Sequence, residues 1–222
     1  MHRRVTGSTN LDARELAVAG APHGTLVTAL EQIDGRGRQG RRWHAPPGRA
    51  LLCSLVLREP PPLLSIAAGV AVAELAGARA LLKWPNDVLL DGRKVAGLLI
   101  EGRPQERWAV LGIGVNVAVA LDELPAELRA SAGTLGLAAD AVEPSLARLL
   151  ALLERWLDAP AAAVLEAWRS RDALLGNAVS WRGGRGTGAG IDSSGRLLVA
   201  HADGRELALD AGEVHLAVLD GG

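Results

Sequence analysis

Residues 34–42, DGRGRQGRR, hold four arginines and three glycines, and Trp43 follows at once. An arginine fork donates paired hydrogen bonds to carboxylate or phosphate, and glycine lets a backbone turn tightly against a ligand. The chemistry offered is capture of an anion under a cationic flap. The segment lacks the Gly-x4-Gly-Lys-Ser/Thr order of a P-loop. It is single and sits between two strands, unlike nucleic-acid-binding segments that recur with interleaved aromatics. Ordering it costs on the order of 10–15 kcal/mol of backbone entropy, and its like charges repel. The flap is therefore expected to be mobile when empty and to fold over an anion.

Three other short stretches carry matching chemistry. Ser8-Thr9-Asn10 offers two hydroxyls and an amide. KWPND at 83–87 stops a strand at Pro85 and projects Asn86 and Asp87 from its end. GIGVN at 112–116 thins a strand with glycine and ends on an amide. Lys94 opens the strand two residues beyond the Asp91-Gly92 turn, where it can face the same cavity. Gly97 removes a side chain from that strand, as happens where a ligand comes close; a bulged core strand is the plainer alternative. Lys83 and Lys94 stand beside 22 arginines. Lysine differs from arginine as a compact point charge with a tunable pKa.

These groups need a scaffold, and 222 residues suffice for one sizeable domain and a small satellite. A hydrophobic content of 49% with net charge −1 describes a folded globular chain and argues against general nucleic-acid affinity. Cys53, the single cysteine, lies in LLCSLVL and reads as a buried structural thiol in a reducing cytoplasm. No stretch approaches the roughly 20 apolar residues of a membrane helix, and residues 1–10 lack a signal-peptide core. A soluble cytoplasmic protein is expected.

The pattern predicts a helix over 11–19 capped by Asn10, then strands over 26–31 and 50–57, the latter buried on both faces. A small-residue helix over 63–78 leads to strands at 80–84, 88–90, 94–101 and 108–117. Helices over 146–157 and 161–175 follow. After Gly176 come a strand at 179–181, a Gly/Arg turn region at 183–190, and strands around 196–200, 205–209 and 213–218. This is an α+β layer with a mixed sheet backed by helices over 1–175 and a small β-barrel over 176–222.

GSTN at 7–10, EQIDGRGRQGRRW at 31–43, KWPNDV at 83–88, KVAGLLIE at 94–101 and GIGVNV at 112–117, in this order, resemble the biotin–protein ligase family. GIDSSGRLLV at 190–199 resembles the SH3-like tail of those enzymes. The resemblance implies a class II synthetase-like catalytic domain followed by that tail. It implies that ATP activates biotin to biotinyl-5′-AMP, and that biotin then passes to a lysine of the biotin carboxyl carrier domain of a carboxylase. Mg²⁺ would be held largely by phosphate oxygens, with no metal site in the protein.

Ser8, Thr9, Asn10 and Gln32 match positions that hold the ureido end of biotin, and hydroxyls with amides suit a urea. Gly35, Arg36, Gly37 and Arg38 match the flap over the biotin carboxylate and nucleotide phosphate; Gly97 is expected beside biotin. Trp43 matches the tryptophan that covers the ligand. Lys94 matches the lysine near carboxylate and phosphate. Arg36, Arg38, Arg41, Trp43, Asn86, Lys94 and Asn116 are the implied ATP side. Lys94, Arg38 and Asp87 are the implied catalytic groups, Asp87 orienting or deprotonating the acceptor amine. Arg41 and Arg42 serve the outer phosphates or solvent.

The chain opens near its SerThrAsn motif, like ligases without a DNA-binding domain, so operator DNA is not an expected partner. No arginine closely follows Gly212-Glu213-Val214, a departure that weakens any tail contact to ATP. A homodimer through a sheet edge is a further expectation. The alternatives are a lipoate or octanoyl ligase, a non-catalytic biotin-binding protein, and an RNA-binding module.

Overall fold

Residues 50–57 are apolar at every position but Ser54, and a strand of that kind needs cover on both faces. The computed structural model describes residues 1–210 and 212–216, with backbone alone at 103 and 104. The chain runs β1 (His2–Thr6), α1 (Thr9–Val18), β2 (Thr25–Gln32), β3 (Ala50–Arg58), α2 (Leu64–Ala76), β4 (Leu81–Lys83), β5 (Asp87–Leu90), β6 (Arg93–Arg103) and β7 (Trp108–Asn116). The short α3 (Ala126–Arg129), then α4 (Val142–Leu157) and α5 (Ala161–Arg169), lead to β8 (Ala178–Trp181) and β9 (Gly184–Ile191). β10 (Leu197–Ala200), β11 (Glu206–Leu209) and β12 (Val214–Leu216) follow. The first sheet has the order β1-β2-β3-β7-β6-β5-β4. Only β1–β2 is parallel within it, so the sheet is mixed, as expected.

β3 lies between β2 and β7, and its two faces differ because successive side chains alternate. Leu51, Cys53, Leu55 and Leu57 join Leu111, Ile113 and Val115 of β7 in the main core, with Ile66, Leu149 and Trp168 from the helices. The Ala-rich α2 lets those helices come close: a Cβ on Gly69 would lie 2.8 Å from the Trp168 ring. Burial pushes the Cys53 thiol up to about 12, the inert structural thiol its setting suggests. On the other face Val56 and Val110 pack with Ala13 and Ala17 of α1. Further along that face Ala50 and Leu52 pack with Val119, Leu124 and Trp43. Between these two apolar patches stand Ser54, Gly112 and Gly114, and the sheet is left thin there.

The second sheet, β11-β10-β9-β8-β12, is antiparallel throughout, and among the described residues its end strands do not pair with each other. Its Leu174-flanked start, Val179, Ile191, Leu197, Val199 and Val214 belong to the same core cluster as the first sheet. Trp84 Nε1 donates to the Gly195 carbonyl at 3.0 Å, tying the KWPND turn to it.

Several expectations need correction. Only Gly183 of the Gly/Arg region at 183–190 keeps to the expected turn, and all the rest of it lies in strand β9. Its glycines clear space for other backbone, since a Cβ on Gly188 would lie 2.1 Å from the Leu174 carbonyl oxygen and one on Gly186 2.6 Å from that of Ala200. The helix expected to reach 175 ends at Arg169. α1 begins at Thr9 with Ser8 as its N-cap, so Asn10 lies inside the helix rather than capping it. β1 was not foreseen at all. It is an exposed edge held by backbone pairing to β2, with no apolar alternation to announce it. Of the strand expected at 213–218, 217 and 218 lie outside the described residues. Among the described residues no helix is long and apolar enough to cross a membrane.

Candidate active site

The thin part of the sheet forms the floor of a cavity of about 540 Å³. Glycine at alternate positions is the cause. A Cβ on Gly112 would lie 2.0 Å from Asn10 Oδ1, and one on Gly114 2.6 Å from Trp43 Cε2. A Cβ on Gly97 of β6 would come within 3.1 Å of Lys94 Nζ and 3.2 Å of the Trp43 ring. Each missing side chain admits a functional one. These are close-packing glycines, not bulges.

At one end of the cavity the groups are neutral. Ser8, Thr9 and Asn10 are buried at the start of α1, at 2%, 4% and 4% exposure. Gln32 Oε1 accepts from the Thr9 amide at 2.7 Å and from the Thr9 hydroxyl at 3.0 Å. Asn10 Nδ2 donates to Glu101 Oε2 at 2.8 Å and to the Leu99 carbonyl at 3.3 Å. Ser54 Oγ lies 2.6 Å from Asn10 Oδ1 and 2.8 Å from Thr9 Oγ1.

The other end is cationic. Lys94 Nζ stands 2.5 Å from Asp87 Oδ1, yet that oxygen has no hydrogen-bond partner, so the pair is held by charge rather than by a directed bond. Lys94 Nζ also sits 5.8 Å from the centre of the Trp43 ring, within cation–π range. Its backbone is clamped from outside the sheet, by Lys94 N–H to Ser131 O and Gly133 N–H to Lys94 O, both 2.8 Å. Asn116 Nδ2 holds the Gly133 carbonyl at 2.9 Å, while its Oδ1 is buried without a partner, as is Trp43 Nε1. Asn86 ties the turn to β6 through Nδ2 to Leu98 O at 2.7 Å, and its Oδ1 meets Arg38 Nη1 at 3.4 Å.

The flap lies across this cavity as a small hairpin. Gly37 N–H donates to Arg41 O at 2.7 Å, Trp43 N–H to Gly35 O at 2.8 Å, and Gln39 takes φ 57° in the tight turn between. Its like charges are offset by partners the sequence does not pair with them. Arg41 meets Glu213 at 2.6 Å and Arg42 meets Asp34 at 3.1 Å. Burial pushes the Arg38 guanidinium below its usual range, with nearby Asp87 acting the other way. A partly desolvated cation of this kind gains from an incoming anion.

Every candidate named from the sequence borders the cavity except Gly35. Gly35 lies behind it, where a Cβ would be 2.5 Å from the Trp43 carbonyl oxygen. The sequence reading missed Ser54, Glu101, the 131–133 clamp, and Glu213, His215 and Leu216, which bring the second sheet to the cavity wall. Ser54 was legible as the one hydroxyl in an apolar strand; the clamp left no signal. The Arg41–Glu213 bridge is half-exposed, so it is worth up to about 1 kcal/mol. Glu213→Ala is therefore expected to speed trypsin cleavage within the flap about two- to fivefold, read by mass spectrometry of early fragments. An unchanged rate would show that this bridge does not restrain the flap.

A mixed sheet thinned by glycine, with a neutral donor–acceptor floor facing a cationic flap, defines a site for a small carboxylated or phosphorylated ligand with a polar head. The chain belongs to the biotin/lipoate A/B protein ligase family, whose model matches residues 3–117. It is 38% identical to biotin--[acetyl-CoA-carboxylase] ligase of Paracoccus denitrificans, over 94% of this chain and 97% of that protein. It is 41% identical over 141 residues to the bifunctional ligase/repressor BirA of Bacillus spizizenii, covering 58% of this chain and 43% of that longer protein, so it spans less than half of it. Among solved structures it matches biotin protein ligase from Aquifex aeolicus in complex with biotin and ATP. The TM-score is 0.81 at 26% identity over 98% of each chain.

Proposed function

We propose that this chain activates biotin with ATP and transfers it to a lysine of a biotin carboxyl carrier domain. The observation that carries this is the pairing, within one cavity, of a neutral floor suited to a urea with a cationic rim suited to carboxylate and phosphate. The relatives' names and the Aquifex aeolicus complex support it.

The floor, built on Thr9 and Gln32, holds the ureido head, and Trp43 covers the ligand. The biotin carboxylate oxygen then attacks the α-phosphorus of ATP, forming the acyl–phosphate bond as the bond to pyrophosphate breaks. Two anions must meet, so Arg36, Arg38 and Lys94 stabilise the charge that develops between them. Asn116 Oδ1 and Trp43 Nε1, both unpaired and buried, are suited to the nucleotide side. In the second step a carrier-lysine amine attacks the acyl carbon, loses a proton and expels AMP. Asp87, at the cavity wall, orients that amine once the charge of Lys94 is shared with substrate. The closed flap keeps water from the mixed anhydride.

Mg²⁺ enters with ATP. It would be held largely by the phosphate oxygens of the nucleotide. In this reading residues 176–222 are an SH3-like tail, with the domain boundary near 175–177. Glu213 steadies the flap from that tail. The near-neutral charge supports a protein that leaves operator DNA alone. A homodimer would join through the exposed β1 edge, and Cys53 stays reduced in the cytoplasm.

The test is pyrophosphate release from ATP with biotin or lipoate as the acid. Release with biotin and not lipoate is expected. Release with lipoate alone would overturn the assignment, and release with neither would leave no ligase.

A further inference from the structure

We propose that Ser54 and Glu101 set the hydrogen-bond polarity of the cavity floor at Thr9, fixing its hydroxyl oxygen as an acceptor toward the ligand head beside the Gln32 amide. This rests on the ligase reading and deepens it. Neither residue borders the main cavity: Ser54 is fully buried in β3, and Glu101 lies on β6 beside a separate hollow behind the flap.

The polarity follows by elimination. Asn10 has two amide protons, and both meet groups that can only accept, the Glu101 carboxylate and the Leu99 carbonyl. The amide cannot flip without setting its oxygen against those acceptors. Asn10 Oδ1 must therefore face Ser54, whose hydroxyl is its donor at 2.6 Å. A serine has one proton, so toward Thr9 Oγ1, 2.8 Å away, Ser54 can only accept. The Thr9 proton then points inward, to Ser54 or to Gln32 Oε1, and leaves an oxygen lone pair for the ligand. Gln32 Oε1 is fixed independently by the Thr9 amide, which leaves the Nε2 protons as what Gln32 has to offer a ligand. A donor beside an acceptor complements a head that places a carbonyl next to an N–H, as a cyclic urea does.

Asn10 thus has no donor left for a ligand. It is a positioning residue, and the charge of Glu101 is the fixed end of the chain of bonds. Neutralising that charge, or removing the Ser54 hydroxyl, frees the network to point its protons either way. A network of this kind acts as a unit, so its members should be coupled rather than additive.

The experiment compares the parent with Ser54→Ala, Glu101→Gln and the double variant, using biotin calorimetry and pyrophosphate-release kinetics. Each single change is expected to weaken biotin binding about 5- to 20-fold, with the KM for ATP and kcat within about twofold. The double variant should lose less than the product of the single losses. Glu101→Gln keeps the size of the side chain, so it remains informative should Ser54→Ala fold poorly. If the parent turns over biotin but Glu101→Gln binds it within about twofold of the parent, or both variants move the two KM values together, this inference alone is overturned. A parent that shows no biotin-dependent turnover overturns the ligase reading and this inference with it.

Discussion

Lys94→Arg is expected to lower the rate of adenylate formation by about 100-fold or more, although it keeps the positive charge. The geometry leaves room for an ammonium and not for a planar fork. Lys94 Nζ is bounded by Asp87 Oδ1 at 2.5 Å, by the Trp43 ring at 5.8 Å, and by the bare backbone of Gly97. Both backbone groups of Lys94 are clamped at 131–133, so the stem cannot withdraw to admit a longer head. Arginine would have to displace Trp43 or part from Asp87, and either change moves charge away from the point where carboxylate and phosphate meet. Burst measurements of pyrophosphate at saturating biotin and ATP give the rate directly. A rate within about twofold of the parent would mean that the site needs only a nearby cation.

Much of this was legible in the sequence because the groups that meet the ligand cluster in short runs with unusual composition. DGRGRQGRR, KWPND and GIGVN each break the apolar pattern around them, and the fold brings all three to one cavity. The alternation in GIGVN even states which face is thinned, since Gly112, Gly114 and Asn116 share it while Ile113 and Val115 enter the core. The supports behind those groups were not legible. The 131–133 clamp on Lys94 works through backbone atoms, which any residue supplies, and lies more than thirty positions downstream. β1 is likewise a matter of backbone pairing. Glu213 reaches Arg41 across 172 positions, so charge arithmetic within the flap misjudged its repulsion. Gly-rich β9 was misread because glycine marks both a turn and a close approach of backbone, and spacing alone does not separate them.

That same ambiguity makes the second large prediction a test of what one glycine is for. Gly112→Ala places a methyl 2.0 Å from Asn10 Oδ1 and 2.7 Å from its Cγ. Asn10 cannot swing aside, because its amide is tied to Glu101, Leu99 and Ser54 and its backbone lies within α1. Something must give, and overpacking of this kind costs about 1–3 kcal/mol of stability. Stability loss alone would not identify the site. Gly69→Ala supplies the comparison, since its methyl would lie 2.8 Å from the Trp168 ring in the core, away from the cavity. Both variants are expected to melt at lower temperature. Gly112→Ala should also weaken biotin binding about 100-fold, because the displaced amide breaks the network that orients the Thr9 hydroxyl. Gly69→Ala should bind biotin as the parent does wherever it is folded. Calorimetry well below both melting temperatures separates the two effects. Equal affinities for the two variants would show that Gly112 serves packing and nothing more.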